Sequence, residues 1–186
     1  MACLSKIQSA ITYDCDGGSV GLISALLINK EDIASFAFSE GSTSYVDSLT
    51  LKKGAKAYKI DTVKKSLVIT ESLKVNEGAP NAFTHSVTAT VTTMQNSALY
   101  RDLINPSANG SFVVLTLGLQ APGQPGIPVR VYGLYYGMSA TAVDRSSHEN
   151  GGWYTITMAT PERVIGEDAL SMLSSLYNTL YDAAIG

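Results

Sequence analysis

The stretch "FTHSVTATVT", from Phe83 to Thr92, alternates without a break. Phe83, His85, Val87, Ala89 and Val91 fall on one side; Thr84, Ser86, Thr88, Thr90 and Thr92 fall on the other. Successive side chains of a strand point to opposite faces, whereas a helix would scatter both sets around its circumference. This is therefore a strand with one apolar face and one hydroxyl face. Such a strand needs a sheet beside it and a core beneath it, which excludes an all-helical fold. His85 belongs to the apolar face, where a satisfied core or interface histidine is the expected role.

Other segments extend the β pattern. Ser19 to Asn29 has the length and the Val, Leu and Ile content of a strand buried on both faces, and "INKEDIASFAF" continues as polar turn and strand. "YVDSLTL", "AKAYKID" and "SLVITESLKV" have the form of hairpins fringed by lysines, which protect exposed edges from unwanted pairing. "SFVVLTLGL" is apolar on both faces and predicts a deeply buried strand. One long strand is expected from Val129 to Val143, with Tyr132 and Tyr136 on one face and Tyr135 on the other. The turn signal in "DRSSHENGG" then returns "WYTITMAT" antiparallel to it.

Two helices interrupt the strands. The first is predicted from about Gln95 to Ile104, ended by "NPSANG". The second begins after Pro161 or Gly166, with Glu167 and Asp168 at its positive N-terminal end and Leu170, Leu173, Tyr177 and Leu180 as its inner stripe. The expectation is a mainly β (α+β) fold, an antiparallel β-sandwich or barrel with one internal and one C-terminal helix. A single domain spans 1–186: arm and turn 1–18, β-rich core 19–160, and C-terminal helix 161–186.

Composition narrows the function classes. The formal net charge is −3, and the basic residues are scattered, with nine lysines but no arginine among the first eighty residues. Specific nucleic-acid binding is not expected, because such proteins concentrate Lys and Arg against phosphate. The longest apolar run, Val20 to Ile28, is too short to span a bilayer, and the first fifteen residues show no secretory pattern. Cys3 and Cys15 have no metal-ligand spacing and are expected as thiols in a reducing cytosol. No cofactor or metal is expected.

The segment "ITYDCDGG" raises a chemical alternative. Asp14 and Asp16 resemble the first motif of haloacid-dehalogenase-type phosphatases, in which one aspartate attacks phosphorus, its neighbour acts as acid and base, and both help hold magnesium. "VIGEDA", with Glu167 and Asp168, imitates that family's last acidic pair. Such enzymes need helices alternating with parallel strands, which the hairpin pattern opposes. A calcium loop beginning at Asp14 would put Ser19 at its sixth position and Ala25 at its twelfth, the wrong residues. A turn is the preferred reading of this cluster. His148, beside Glu149 and Asn150, reads as a surface turn, and the tyrosines of "VYGLYYGM" as sheet packing or a subunit contact in preference to a sugar- or base-stacking site.

"CLSKIQSAITYDC", "LISALLINKEDIASF", "KAYKIDTVKKSLVITES" and "GAPNAFTHSVTATV" together resemble phage and prophage virion proteins of the tail tube, the inner tube of long-tailed phages and contractile injection systems. The resemblance covers roughly the first half of the chain. It implies a structural, non-enzymatic protein whose homohexameric rings stack into a hollow tube, with the inner sheets of all subunits joined into one barrel. It also implies assembly in the host bacterial cytoplasm, residence in the virion tail, and a tape measure protein and baseplate or terminator proteins as partners. DNA would pass through without specific binding, and no membrane is involved. A head decoration, connector or baseplate subunit is the neighbouring alternative. Cys3, Leu4 and Ile7 in the arm, and Gln120, Pro122, Pro125 and Ile127 in the Pro/Gly-rich loop "QAPGQPGIP", are the expected subunit contacts. Thr84, Ser86, Thr88, Thr90 and Thr92 are expected to face the lumen.

Overall fold

The computed structural model describes residues 22–60, 66–91, 106–118, 129–145, 153–162, 164–167 and 170–185. Their strands are β1 (Leu22–Asn29), β2 (Ile33–Phe38), β3 (Tyr45–Leu51), β4 (Tyr58–Ile60), β5 (Val68–Lys74), β6 (Ala82–Val91), β7 (Phe112–Gly118), β8 (Val129–Tyr132), β9 (Ser139–Arg145), β10 (Tyr154–Ala159) and β11 (Leu170–Met172). A 3-10 turn (Lys30–Asp32) separates β1 from β2, and a C-terminal helix occupies Ser174–Ile185. The fold is mainly β with helical additions, in line with the alternation in the sequence.

The strands form a seven-stranded sheet, ordered β2-β3-β11-β8-β7-β1-β4, and a four-stranded sheet, ordered β5-β6-β10-β9. Neighbours are antiparallel throughout the four-stranded sheet, and among the described residues β11 and β3 form the single parallel pair. Strands β1 and β7 are interior, and their side chains serve two cores in alternation. Leu26, Ile28, Val113 and Leu115 pack toward Tyr177 and Leu180 of the C-terminal helix. Ala25, Leu27, Phe112 and Val114 pack toward Val87, Val91, Ile156 and Met158 of the four-stranded sheet. The molecule thus has three layers, and a strand in the middle layer is apolar at nearly every position, with Thr116 of β7 the fully buried polar exception. Each such buried side chain contributes roughly 1.5–3 kcal/mol of transfer free energy.

Several expectations give way. β3, β4 and β5 do not form hairpins with one another: β3 pairs with β2 and β11, β4 with β1, and β5 with β6. β4 is an edge strand of the seven-stranded sheet and β5 an edge strand of the four-stranded sheet. The single strand expected over Val129–Val143 is two strands in different sheets, divided at Gly133 and Gly137, whose φ angles are 78° and 74°. A left-handed backbone ends a strand, and a glycine adopts it without steric penalty. Tyr135 and Tyr136 consequently sit in the connecting turn instead of alternating along a strand.

The C-terminal helix begins at Ser174, later than either predicted start, because Leu170–Met172 is strand β11 inserted between β3 and β8. Leu170 therefore packs as a strand residue, while Tyr177 and Leu180 keep their place on the helix's inner face. Leu173, between the two elements, stays 39% exposed. A three-residue strand carries too little sequence for its period to be told from a helix's first turn. Near the internal helix, residues 106–109 are helical and the Gly110 N–H donates to the Pro106 carbonyl at 2.8 Å. The "NPSANG" segment expected to end a helix contains helix at 106–109. The range Gln95–Ile104 lies outside the described residues.

Candidate functional surface

Parity along β6 separates two environments in the four-stranded sheet. His85, Val87, Ala89 and Val91 are buried toward the seven-stranded sheet, while Thr84, Ser86, Thr88 and Thr90 lie half-buried on the opposite, outer face. Register extends that outer face across the sheet. Thr70 pairs with Ser86 and Ser72 with Thr84 on β5; Thr155 pairs with Thr90 and Thr157 with Thr88 on β10. Hydroxyls bridge the strands: Thr88 Oγ1 and Thr157 Oγ1 are 3.2 Å apart, as are Thr90 Oγ1 and Thr155 Oγ1. Thr84 Oγ1 donates to the Ser72 carbonyl at 3.3 Å, and Thr141 Oγ1 to that of Thr157 at 3.3 Å.

β-Branched threonine suits this surface because its methyl packs along the pleat while its hydroxyl meets a cross-strand partner. Among the described residues, the middle of the face carries no charge. Lys74 stands at one end, its ammonium donating to the carbonyls of Glu162 and Val164, and Asp144 stands near the other, level with Thr155. The sheet's two outer strands, β5 and β9, each present a backbone edge unpaired within the described chain. Strand β5 is largely exposed along its length.

On the inner side, a polar cluster fixes how the sheets meet. The Tyr132 hydroxyl, from β8, donates to Glu71 Oε1, from β5, at 3.0 Å. Burial first, and then the nearby Glu71 charge, push the Tyr132 phenol well above its ordinary value of 10.0. The His85 ring lies 5.2 Å from the Tyr132 ring at an interplanar angle of 59°, and its Nε2 is 3.2 Å from the Glu167 carbonyl oxygen. His85 N–H donates to Thr160 Oγ1 at 2.9 Å, and the Thr160 N–H returns a bond to the His85 carbonyl at 2.9 Å. His85 is a core histidine, 1% exposed and held through its Nε2 and its backbone.

Glu167 is the cluster's hinge. Its backbone exchanges bonds with Phe83, at 3.0 and 3.3 Å, and its Oε2 accepts from the Tyr135 N–H at 3.1 Å. The N–H groups of Gly133 and Leu134 also turn toward the carboxylate, and Lys30 lies near enough to favour its charge. Burial nevertheless dominates and raises its pKa above the usual 4.5. Instead of standing at a helix N-terminus, this residue is 4% exposed and caps the turn joining β8 to β9. It is no surface acid for a phosphatase pair, and Asp168 lies outside the described residues.

Of the other expected site residues, Asp14, Asp16, Cys3, Leu4, Ile7, Gln120, Pro122, Pro125, Ile127, Thr92 and His148 also lie outside the described residues, as does Cys15. Tyr135 packs edge-on against Phe36 at 5.9 Å and stacks with Phe38 at 6.2 Å, an aromatic end to the core. The sequence did carry one signal that passed unread: Glu71 shares the parity of Ile69 and Leu73, an acid on an apolar strand face. Its partner Tyr132 is 61 residues away, beyond any local pattern. Among the described residues no group of three or more His, Cys, Asp or Glu side chains is placed to hold a metal ion. No family model, no curated protein and no solved structure matches this chain.

Proposed function

We propose that the protein is a non-enzymatic structural subunit whose copies join edge to edge into closed rings, and that the rings stack into a hollow conduit: a phage-type tail tube. The observation that carries this reading is the four-stranded sheet, with its hydroxyl-covered, centrally uncharged outer face lying between two edges left unpaired among the described residues. An even number of antiparallel strands makes the outer strands run in opposite directions. When β9 of one copy meets β5 of the next, the pairing is antiparallel and the sheet continues without a break.

Closing such a sheet into a barrel removes its two edges, which would otherwise recruit unwanted strands. It also turns one face of each copy inward. A wall of threonine and serine stays wet and offers few cations to phosphate, so nucleic acid slides past without being held. Six copies per ring is the number that the resemblance to tail tube proteins implies. The expected neighbours are a tape measure protein inside the growing tube and baseplate or terminator proteins at its ends.

The test is negative-stain electron microscopy of the purified protein with light scattering across a concentration series. Rings or tubes of uniform diameter are expected; a monomer persisting over the whole range refutes the proposal. Magnesium-dependent phosphatase turnover abolished by Asp14→Ala, or saturable sugar binding abolished by Tyr135→Ala, would replace it with an enzyme or a carbohydrate-binding module.

A further inference from the structure

Exposed large apolar side chains gather at the turn end of the β5–β6 hairpin. Leu73 is 60% exposed, Val75 72%, Phe83 39% and Ile165 47%. Leu73 and Phe83 are directly opposed across the two strands, and Val75 follows β5 into the turn. Residues 164–167 are fastened beside them: Phe83 bridges to Glu167, and the Asn76 side-chain amide donates to the Ile165 carbonyl at 3.0 Å. Lys74 adds its bonds to the carbonyls of Glu162 and Val164. Asn76 also donates twice within the turn, its side-chain amide to the Pro80 carbonyl at 2.8 Å and its backbone N–H to Asn81 Oδ1 at 3.1 Å. The apolar residues therefore stand on a hydrogen-bonded platform.

We propose that this platform is the ring-to-ring contact, covered by a second copy of the chain in the adjoining ring. The inference rests on the tube reading. Pairing between β5 and β9 consumes the sides of the four-stranded sheet and leaves its strand ends pointing along the stack. In a heterologous assembly of identical rings, each copy presents one such end to the next ring, so an apolar surface there is covered at every junction.

Its size argues for the same occupant. Four partly exposed side chains make a patch of a few hundred Å², short of the roughly 800 Å² per partner that holds two free proteins together. One such contact cannot sustain a dimer. A closed ring presents one contact per subunit at once, and linked weak contacts multiply into a firm junction. Rings therefore form first, and stacking follows.

The experiment compares the wild-type chain with Leu73→Ser/Val75→Ser and, separately, Ile165→Ser, by negative-stain microscopy and sedimentation velocity, with circular dichroism confirming the fold. Both variants are expected to form single rings at wild-type concentration, while the concentration needed for tube growth rises tenfold or more, about 1.4 kcal/mol per decade. Tubes growing as in the wild type overturn the inference. Folded variants that fail even to form rings also overturn it, because the patch then belongs to the seam within a ring. A wild-type chain that forms no rings removes the tube reading and this inference with it.

Discussion

Gly133 decides whether the chain can pass from the seven-stranded to the four-stranded sheet, and its replacement by alanine separates two physical effects. Its φ of 78° lies where an L-residue is strained by roughly 1–2 kcal/mol. A Cβ built there would come within 2.8 Å of the Phe112 carbonyl oxygen and 2.9 Å of the Met138 nitrogen. Those two atoms are backbone groups bonded to each other at 2.7 Å, and both residues are buried, so neither yields easily. Displacing that buried bond adds about 1–3 kcal/mol per group left unpaired. The loss of chain freedom in the unfolded state offsets about 0.4–1 kcal/mol. A net loss of about 3–5 kcal/mol is expected, a large part of the ~5–15 kcal/mol that holds a domain together.

Gly54→Ala supplies the comparison. Gly54 has nearly the same φ, 83°, but a Cβ there meets nothing within 4 Å. Only the backbone strain applies, and about 1 kcal/mol is expected after the unfolded-state offset. Urea unfolding of both variants, followed by far-ultraviolet circular dichroism with a common m-value, reads the difference directly. Equal shifts in the two variants would refute the claim that close approach to Phe112 and Met138, beyond φ alone, fixes this glycine.

Two titrations follow from the cluster between the sheets. Glu167 binds its proton more tightly folded than unfolded, so its contribution favours the folded state below pH 4.5 and is lost as pH rises through the raised folded value. Glu167→Gln keeps an acceptor for the Tyr135 N–H, so the variant is expected to lose that decline; thermal melts from pH 4 to 8 in which both chains fall in parallel would contradict it. Tyr132, also raised, favours the folded state up to about pH 10.0, and this is lost as pH climbs further. Tyr132→Phe should be less stable at neutral pH by about 0.5–1.5 kcal/mol, for the lost bond to Glu71, yet decline less between pH 10 and 12 in urea titrations. A steeper alkaline decline in the variant would exclude this origin.

The alternation of Phe83 to Val91 was enough, by itself, to determine a strand, the buried face from His85 to Val91 and the hydroxyl face opposite, though not the exposure of Phe83 at the strand's end, because side-chain parity in a strand is a local property. The largely apolar character of β1 and β7 likewise pointed to strands buried on both faces before any partner was known. Which strands pair could not be read in this way. β3, β4 and β5 follow one another closely yet go to different neighbours, a choice set by long-range packing and by the two cores that must both be filled. The chain break at Gly133 and Gly137 was written as glycine, but its meaning depended on Phe112 and Met138 closing across it. Glu167 shows the same limit most clearly: beside Asp168 it has the form of a helix-start acid, and only the turn brought to it from residues 133–135 makes it a buried anchor. Local sequence carries period and propensity, whereas a buried carboxyl group is held by groups that tertiary structure alone brings within reach.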